Sequence, residues 1–455
     1  MSPSLQEARL ERLFVQNFAG TIGIKILERL KTMPLEHFVE RLAAFEPHDL
    51  PVVSLYLNAQ ADEHGKHNYD VFVRKELSER AKTFAPDTPQ RASIDEDLVR
   101  INRYLEQKIQ SPTQSIAIFA CSGANDYFEA LQLEAPINNN RVFVYERPHL
   151  YPLARLLDQY PRYAVVLADT NSAKIFVFAL GKAIKRSEIQ NVKTKRTQVG
   201  GWSQMRYQRH NENYHLHHAK EVIDNLQRLV GNELIEHVIL AGDEETIIPL
   251  LREQMSKELS EKVVDVLSLG IGTPEHELLE ESLKAYRRHD SLSDMEKVEH
   301  LLDEYRRDGL AVAGVPHTLA ALSNGQVEEL LIASSASEIQ FDSAEAEKVL
   351  RLYGNPGGAS AELDQRTVAD ELVRRATQLS SARVTFIEDV SALKKVGGVG
   401  ALLRYRISAE SAAPYEQGQT VSKAEALVEL NTNQEGAQNV GQGSTKERSQ
   451  AKGQG

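Results

Sequence analysis

The sequence predicts an α/β protein of three domains followed by a disordered tail, and three observations carry that expectation. Short apolar runs of buried-strand type, among them Ser115-Ile116-Ala117-Ile118-Phe119-Ala120-Cys121 and Tyr163-Ala164-Val165-Val166-Leu167-Ala168, recur between stretches with helical spacing. Strands alternating with helices build layered α/β units. A chain of 455 residues is long enough for about three of them. From residue 409 onward Gln, Gly, Ser, Glu and Lys dominate. Residues 409–455 therefore offer too little apolar surface to offset the entropy lost on ordering.

Residues 1–45 read as a helical arm, with Leu10, Leu13, Phe14 and Phe18 on one face. The first domain, 46–150, opens with a strand at 51–58. Polar helices near 69–83 and 93–110 and strands at 115–121, 127–133 and 141–145 follow. The second, 151–290, starts as an antiparallel meander: strand 163–169, the turn Thr170-Asn171-Ser172, strand 173–180, Gly181, and a more polar third strand. Next comes a helix in which Val222, Ile223, Leu226, Leu229 and Val230 share a face and Gly231 is placed to end it. Its front half, 203–218, is nearly all polar and is expected to project from the domain. Strand 237–242, a helix over 245–259 and strand 263–267 complete the unit. The third domain, 291–408, is predicted to begin at a capping box of Ser293 and Glu296 ahead of the apolar face Val298, Leu301, Leu302 and Tyr305. Strand 310–314, a short helix 318–322 behind Pro316, strand 330–333, helix 367–379, strand 384–387 and a closing strand 402–407 follow.

Net charge is −12, so the chain as a whole has no attraction for nucleic acid, and any RNA contact requires a local patch. The single cysteine, Cys121, excludes an intrachain disulfide framework and fits a reducing compartment. No apolar run approaches the roughly 20 residues that cross a bilayer. Glu7, Arg9, Glu11 and Arg12 break any signal-peptide pattern at the start. A cytoplasmic protein without membrane contact is the expectation.

The patch lies in the middle of the chain. From Lys182 to Lys220 the cations are Lys182, Lys185, Arg186, Lys193, Lys195, Arg196, Arg206, Arg209 and Lys220, against Glu188 and Glu212 alone. At its centre stands Gly200-Gly201-Trp202-Ser203-Gln204-Met205-Arg206-Tyr207-Gln208-Arg209. Adjacent glycines let a backbone approach a ligand closely. Arg206 and Arg209, three apart at the start of a helix, suit the phosphates of a polyanion. His210, His215, His217 and His218 do not fall on one helical stripe and have no cysteine nearby, so a polar RNA-facing helix is favoured over a metal site. Asp169 follows an apolar strand without partner acids, which suits a turn rather than a two-metal centre. Gly397-Gly398-Val399-Gly400 lacks the lysine and following helix of a phosphate loop, leaving a tight approach to the closing strand.

Three collinear blocks resemble the archaeal and eukaryotic class-1 peptide chain release factors and their relative Pelota, and the pattern is nearest to the bacterial relatives of that family. Gly200 to Arg209 resembles the Gly-Gly-Gln loop and the start of the helix behind it. Gly314-Val315, Thr318-Leu319, Ala321-Leu322, Gly325, Val327-Glu328 and Leu330-Leu331-Ile332 resemble the central part of the C-terminal domain, and Gly397 to Arg406 its closing strand. The resemblance spans about residues 50–407. It implies an N-terminal α/β domain, an RNase-H-like central domain and a C-terminal domain of the kink-turn ribosomal-protein type. The Asn-Ile-Lys-Ser and Tyr-x-Cys-x-x-x-Phe motifs of stop-codon reading are absent.

Two functions follow from the resemblance. One is codon-independent ribosome rescue by hydrolysis of the peptidyl-tRNA ester, which needs an oriented water and donors for the developing oxyanion. Gly200 and Gly201 would thread the peptidyl-transferase centre and Gln204 would position water. Trp202 stands where the family has its glutamine; it and Arg196, Arg206 and Arg209 would bind RNA, the indole stacking on a base for roughly 1–3 kcal/mol. The other is a non-catalytic Pelota-like factor that splits or silences stalled ribosomes. Ribosome, peptidyl-tRNA and rRNA are the expected partners, a translational GTPase is a further candidate, and no metal or cofactor is expected.

Overall fold

Alternating side chains divide β1 (Val52–Asn58) between two cores. Val53, Leu55 and Leu57 pack with Ile116, Ile118 and Ala120 of β2 (Ser115–Cys121) beneath the helices Tyr69–Ala81 and Pro89–Gln107. Tyr56, with Ala117 and Phe119, points the other way, into a cluster shared with the helix Leu35–Ala43 and the C-terminal unit. Burial on both faces is why these strands read as continuous apolar runs. Adding β3 (Tyr127–Leu133) and β4 (Arg141–Tyr145) gives an antiparallel sheet of order β3-β2-β1-β4. The structure, a computed structural model, describes residues 35–60, 69–107, 109, 113–190, 202–233, 235–352 and 364–406. Most of the expected N-terminal arm and all of the expected disordered tail lie outside the described residues. Among the described residues no helix is long and apolar enough to cross a membrane.

The central sheet runs β7-β6-β5-β8-β9. β5 (Tyr163–Ala168), β6 (Ser172–Ala179) and β7 (Lys182–Gln190) form the predicted meander. β8 (His237–Gly242) and β9 (Val263–Leu267) continue it in parallel. The helix Trp202–Asn232 covers one face through Ala219, Val222, Ile223, Leu226 and Leu229; it runs past Gly231, which does not stop it. The expected helix over 245–259 is two, Ile247–Gln254 and Lys257–Glu261, because Ser256 caps the second by accepting a hydrogen bond from the Leu259 amide at 3.2 Å.

The other face of the central sheet meets the largest departure from the sequence expectation. A single 32-residue helix, Glu275–Arg306, runs through the expected start of the third domain at 291. The Ser293–Glu296 pattern lies in its middle and caps nothing. Leu278, Ala285 and Tyr286 continue the helical stripe upstream and bury on the central sheet, while Val298, Leu301, Leu302 and Tyr305 bury on the C-terminal one.

The C-terminal sheet comprises β10 (Ala311–Ala313), β11 (Val327–Ala333), β12 (Arg383–Ile387) and β13 (Val399–Leu403), ordered β10-β13-β11-β12. Only β11 and β12 are parallel. The closing strand thus begins at Val399, ahead of its expected start. Helices Val315–Ser323, Ser343–Leu352 and Gln365–Arg375 cover the face opposite the long helix. Gly397 and Gly398 sit at φ 86° and 76°, and a Cβ on Gly398 would stand 2.5 Å from the Glu338 carbonyl. A tight backbone approach, not ligand binding, accounts for that glycine run.

One short helix, Tyr151–Gln159, ties the first and C-terminal units together. Its first amides, Leu150 and Tyr151, donate to Asp370 Oδ1 at 2.5 and 2.9 Å, and the Tyr151 hydroxyl donates to the Ala333 carbonyl at 2.6 Å. Farther along, Asp158 Oδ2 accepts from the Phe386 amide at 3.2 Å, and Gln159 donates to Glu388 at 2.7 Å. Burial, with Asp290 and Asp294 nearby, lifts the Asp158 carboxyl to about 8. It is therefore protonated in the fold at neutral pH but ionised in the unfolded chain, so folding takes up a proton. Stability contributed here falls as pH rises from about 4 through about 8. Asp158→Asn keeps an acceptor for the Phe386 amide and removes the titration. Its melting midpoint is expected to fall less between pH 5 and 8.5 than that of the unaltered chain, a difference of roughly a few degrees that calorimetry in a pH series measures; parallel curves would refute the assignment.

Candidate nucleic-acid interface

The strands β6 and β7 lead toward the Gly-Gly stretch, and the helix behind it begins at Trp202. Arg196, Gly200 and Gly201 lie outside the described residues. Trp202, Gln204, Arg206 and Arg209 occupy the first turns of the helix, which is 31 residues long. At about 100° per residue, positions 202, 206 and 209 fall along one side and position 204 on the opposite side. The structure thus groups the three expected RNA-binding positions on the helix and separates Gln204 from them.

What holds the helix is its second half. His218, Ala219, Val222, Ile223 and Leu226 are buried, whereas Asn213 and His217 are exposed. From residue 202 to 217 the helix extends roughly 24 Å ahead of that anchor. The histidines are consequently split. Burial pushes His218 below its usual value, opposed by the backbone at Ser172 and the charge of Asp169. Among the described residues no group of three or more His, Cys, Asp or Glu is arranged to hold a metal. Asp169 serves the β5–β6 turn: its Oδ1 accepts from the Asn171 and Ser172 amides at 2.7 and 2.6 Å. The helix anchor and this turn meet, so the meander fixes where the helix leaves the sheet.

Gly242, at the end of β8, permits the close packing beneath the anchor. A Cβ there would come within 2.5 Å of the Ala168 carbonyl and 2.8 Å of Ile247 Cγ2.

Electrostatics alter the basic patch. Folding brings Glu134 to 3.8 Å from Lys182, Glu233 to 2.7 Å from Lys185, and Glu275 to 2.6 Å from Arg186. Glu233 also pairs with Arg162, and its carboxyl is held below the usual range first by the Lys185 hydrogen bond. The β7 cations are therefore partly neutralised by acids far away in sequence, although such exposed pairs are individually weak. No sequence spacing reveals those partners. If this face meets RNA, Glu233→Gln releases Lys185 and should tighten binding roughly two- to fivefold at low salt, an effect that fades as salt rises. Titration of labelled rRNA fragments at two ionic strengths checks it; unchanged affinity at low salt would place the RNA elsewhere.

A model of the bacterial archaeo-eukaryotic release factor family 10 matches residues 148–287, and a model of eRF1 domain 3 matches residues 292–407. The protein pelota homolog of Pyrococcus furiosus is 27% identical over 196 residues, 41% of this chain and 48% of that protein. The chain thus spans about half the length of this relative. The eukaryotic peptide chain release factor subunit 1 of Saccharomyces cerevisiae is 23% identical over 304 residues, covering 60% of this chain and 69% of that protein. Among solved structures, the archaeal translation termination factor aRF1 aligns at 16% identity over 82% of this chain and 97% of its own, with a TM-score of 0.24.

Proposed function

We propose that this chain, a relative of the archaeal and eukaryotic class-1 release-factor and Pelota family, is a translation factor that rescues stalled ribosomes by hydrolysing the peptidyl-tRNA ester without reading a codon. The observation that carries the proposal is the pair of adjoining family matches, which take in the Gly-Gly stretch with its helix and the whole C-terminal unit. Ester hydrolysis in the peptidyl-transferase centre asks little of the protein beyond geometry: a backbone slender enough to enter, a donor for the oxyanion and a polar side chain to orient water. Gly200 and Gly201 supply the first, and Gln204 supplies the last. The ribosome with its peptidyl-tRNA and rRNA is the partner, and a translational GTPase is a candidate for delivery.

Helical geometry makes one demand on this mechanism. Gln204 sits in the first turn, on the side away from position 202, so presenting it beside Gly201 requires that turn to unwind. The first amides of a helix have no intrahelical acceptors, so unwinding there sacrifices few hydrogen bonds. The second reading draws on the same place: Trp202 stands where the family has its glutamine, which favours a factor that binds and splits stalled ribosomes without hydrolysis.

Peptide release from purified stalled ribosomes separates the two. Under the hydrolytic reading, Gly201→Ala and Gln204→Ala lose release by at least about 100-fold, the scale of removing one oxyanion or water-orienting group, while still co-sedimenting with ribosomes. Arg206→Ala and Arg209→Ala weaken ribosome binding, each reducing the salt slope by about one. Binding without release in the unaltered chain selects the splitting factor.

A further inference from the structure

Two residues that the sequence singles out, Asp169 and His218, have no part in the proposed mechanism, and the fold brings them together. Asp169 shapes the β5–β6 turn. Besides the two bonds its side chain accepts from the Asn171 and Ser172 amides, its own amide donates to the Ser172 carbonyl at 2.9 Å. His218, on the helix Trp202–Asn232, is wholly buried against that turn. Its imidazole donates to the Ser172 carbonyl and, with a smaller effect, to that of Asp169. Burial pushes His218 below its usual value, and these bonds, with the charges of Asp169 and Glu221, act against it. Ala168, Ala173 and Ala219 are buried in one cluster here, and their small side chains let helix and turn lie close.

Packing alone does not call for an imidazole at this place. An aliphatic side chain beside Val222 and Ile223 would bury no polar group, and a polar group is tolerated inside only with a partner. What the imidazole adds is direction, because a hydrogen bond weakens steeply as its angle bends, whereas apolar contact is non-directional. Direction matters through leverage. The helix runs about 24 Å from His218 to position 202, so a tilt of about 5° at His218 moves position 202 by about 2 Å. The described side chains just ahead of His218, at 213–217, are exposed or half-buried. A misplacement of about 1 Å at reacting atoms can cost about 100-fold in rate.

We infer that His218 is a positioning residue: tied to the β5–β6 turn that Asp169 shapes, it sets the direction in which the helix carries residues 202–209 and the Gly-Gly stretch joined to them. Asp169 acts through it. The consequence for peptide release rests on the hydrolytic reading, whereas the direction of the helix is a property of the free chain.

Paired spin labels on the full-length chain test the direction. The single cysteine, Cys121, is buried, so labels go on Gln208→Cys in the helix and on Glu253→Cys, exposed on the helix Ile247–Gln254. With His218 in place, one narrow distance is expected. His218→Leu should broaden or shift it by about 2 Å while the melting midpoint holds, since leucine fills the same space. Of His218→Asn and His218→Gln, which keep an amide donor, at least one should restore it. In peptide release from stalled ribosomes, His218→Leu should lower the maximal rate roughly 10- to 100-fold and leave the half-saturating concentration within about twofold; the restoring amide variant should recover the rate. A distance unchanged in His218→Leu, or changed alike in all three variants, would overturn the inference. The expected distances in a chain that releases no peptide would overturn the hydrolytic reading and support the positioning role.

Discussion

One helix serves two cores, and the arrangement of the central and C-terminal units depends on it. Leu278, Ala285 and Tyr286 belong to the central sheet's packing, and Val298, Leu301, Leu302 and Tyr305 to that of the C-terminal sheet. A continuous helix of 32 residues is about 48 Å long and has no loop that could act as a hinge. Changing the angle between these units requires bending it or peeling one half from a buried face. Each fully buried Leu contributes on the order of 2 kcal/mol of transfer free energy, so peeling is opposed by several such side chains at once. The Gly-Gly helix is seated on the opposite face of the same central sheet. Its direction is therefore coupled to the C-terminal unit through two rigid contacts.

The first unit is fastened by both polar and apolar contacts. The helix Tyr151–Gln159 has its leading amides capped by Asp370 from a segment 220 residues away, and polar contacts to Phe386 and Glu388 complete the join. A carboxylate cap is worth about 0.5–2 kcal/mol. Burial raises Asp370 to about 7, so this cap is less ionised at neutral pH than an exposed carboxylate would be. Behind the polar join lies apolar burial: Phe38, Tyr56 and Phe119 share a cluster with Leu319 and Val368.

What was legible in the sequence follows from locality. The meander and the Asp169 turn were readable because each is settled by residues within a few positions. The long helix was misread at Ser293 because a capping box is a local pattern, and only the burial of Leu278 and Tyr286 on another sheet shows that the helix continues. No element was expected at 151–159, although Tyr151, Leu153, Ala154 and Leu156 bury there; the residues of the first and C-terminal units they pack against are distant in sequence. Charge was the least legible. Lys182, Lys185 and Arg186 looked like a uniform patch because Glu134, Glu233 and Glu275 are 48 to 89 residues away from them.

That redistribution of charge bears on what the Gly-Gly helix can do. With the β7 cations partly compensated, Arg206 and Arg209 stand in the first turns of the helix Trp202–Asn232. A helix N-terminus adds its own partial positive charge to those cations, so an anionic partner is drawn toward the tip rather than along the sheet. Electrostatics therefore favour an end-on approach, which suits a narrow RNA-lined site. They do not decide between hydrolysis and binding, because attraction acts equally on the ground state and the transition state. The decision rests on the first helical turn. Under the hydrolytic proposal, while it stays wound positions 202 and 204 lie on opposite sides, and only one of them could meet the ester. The hydrolytic proposal requires that it uncoil to present Gln204, and the cost of uncoiling is small at a helix start. The helix that holds the tip in place thus leaves its first turn free to choose.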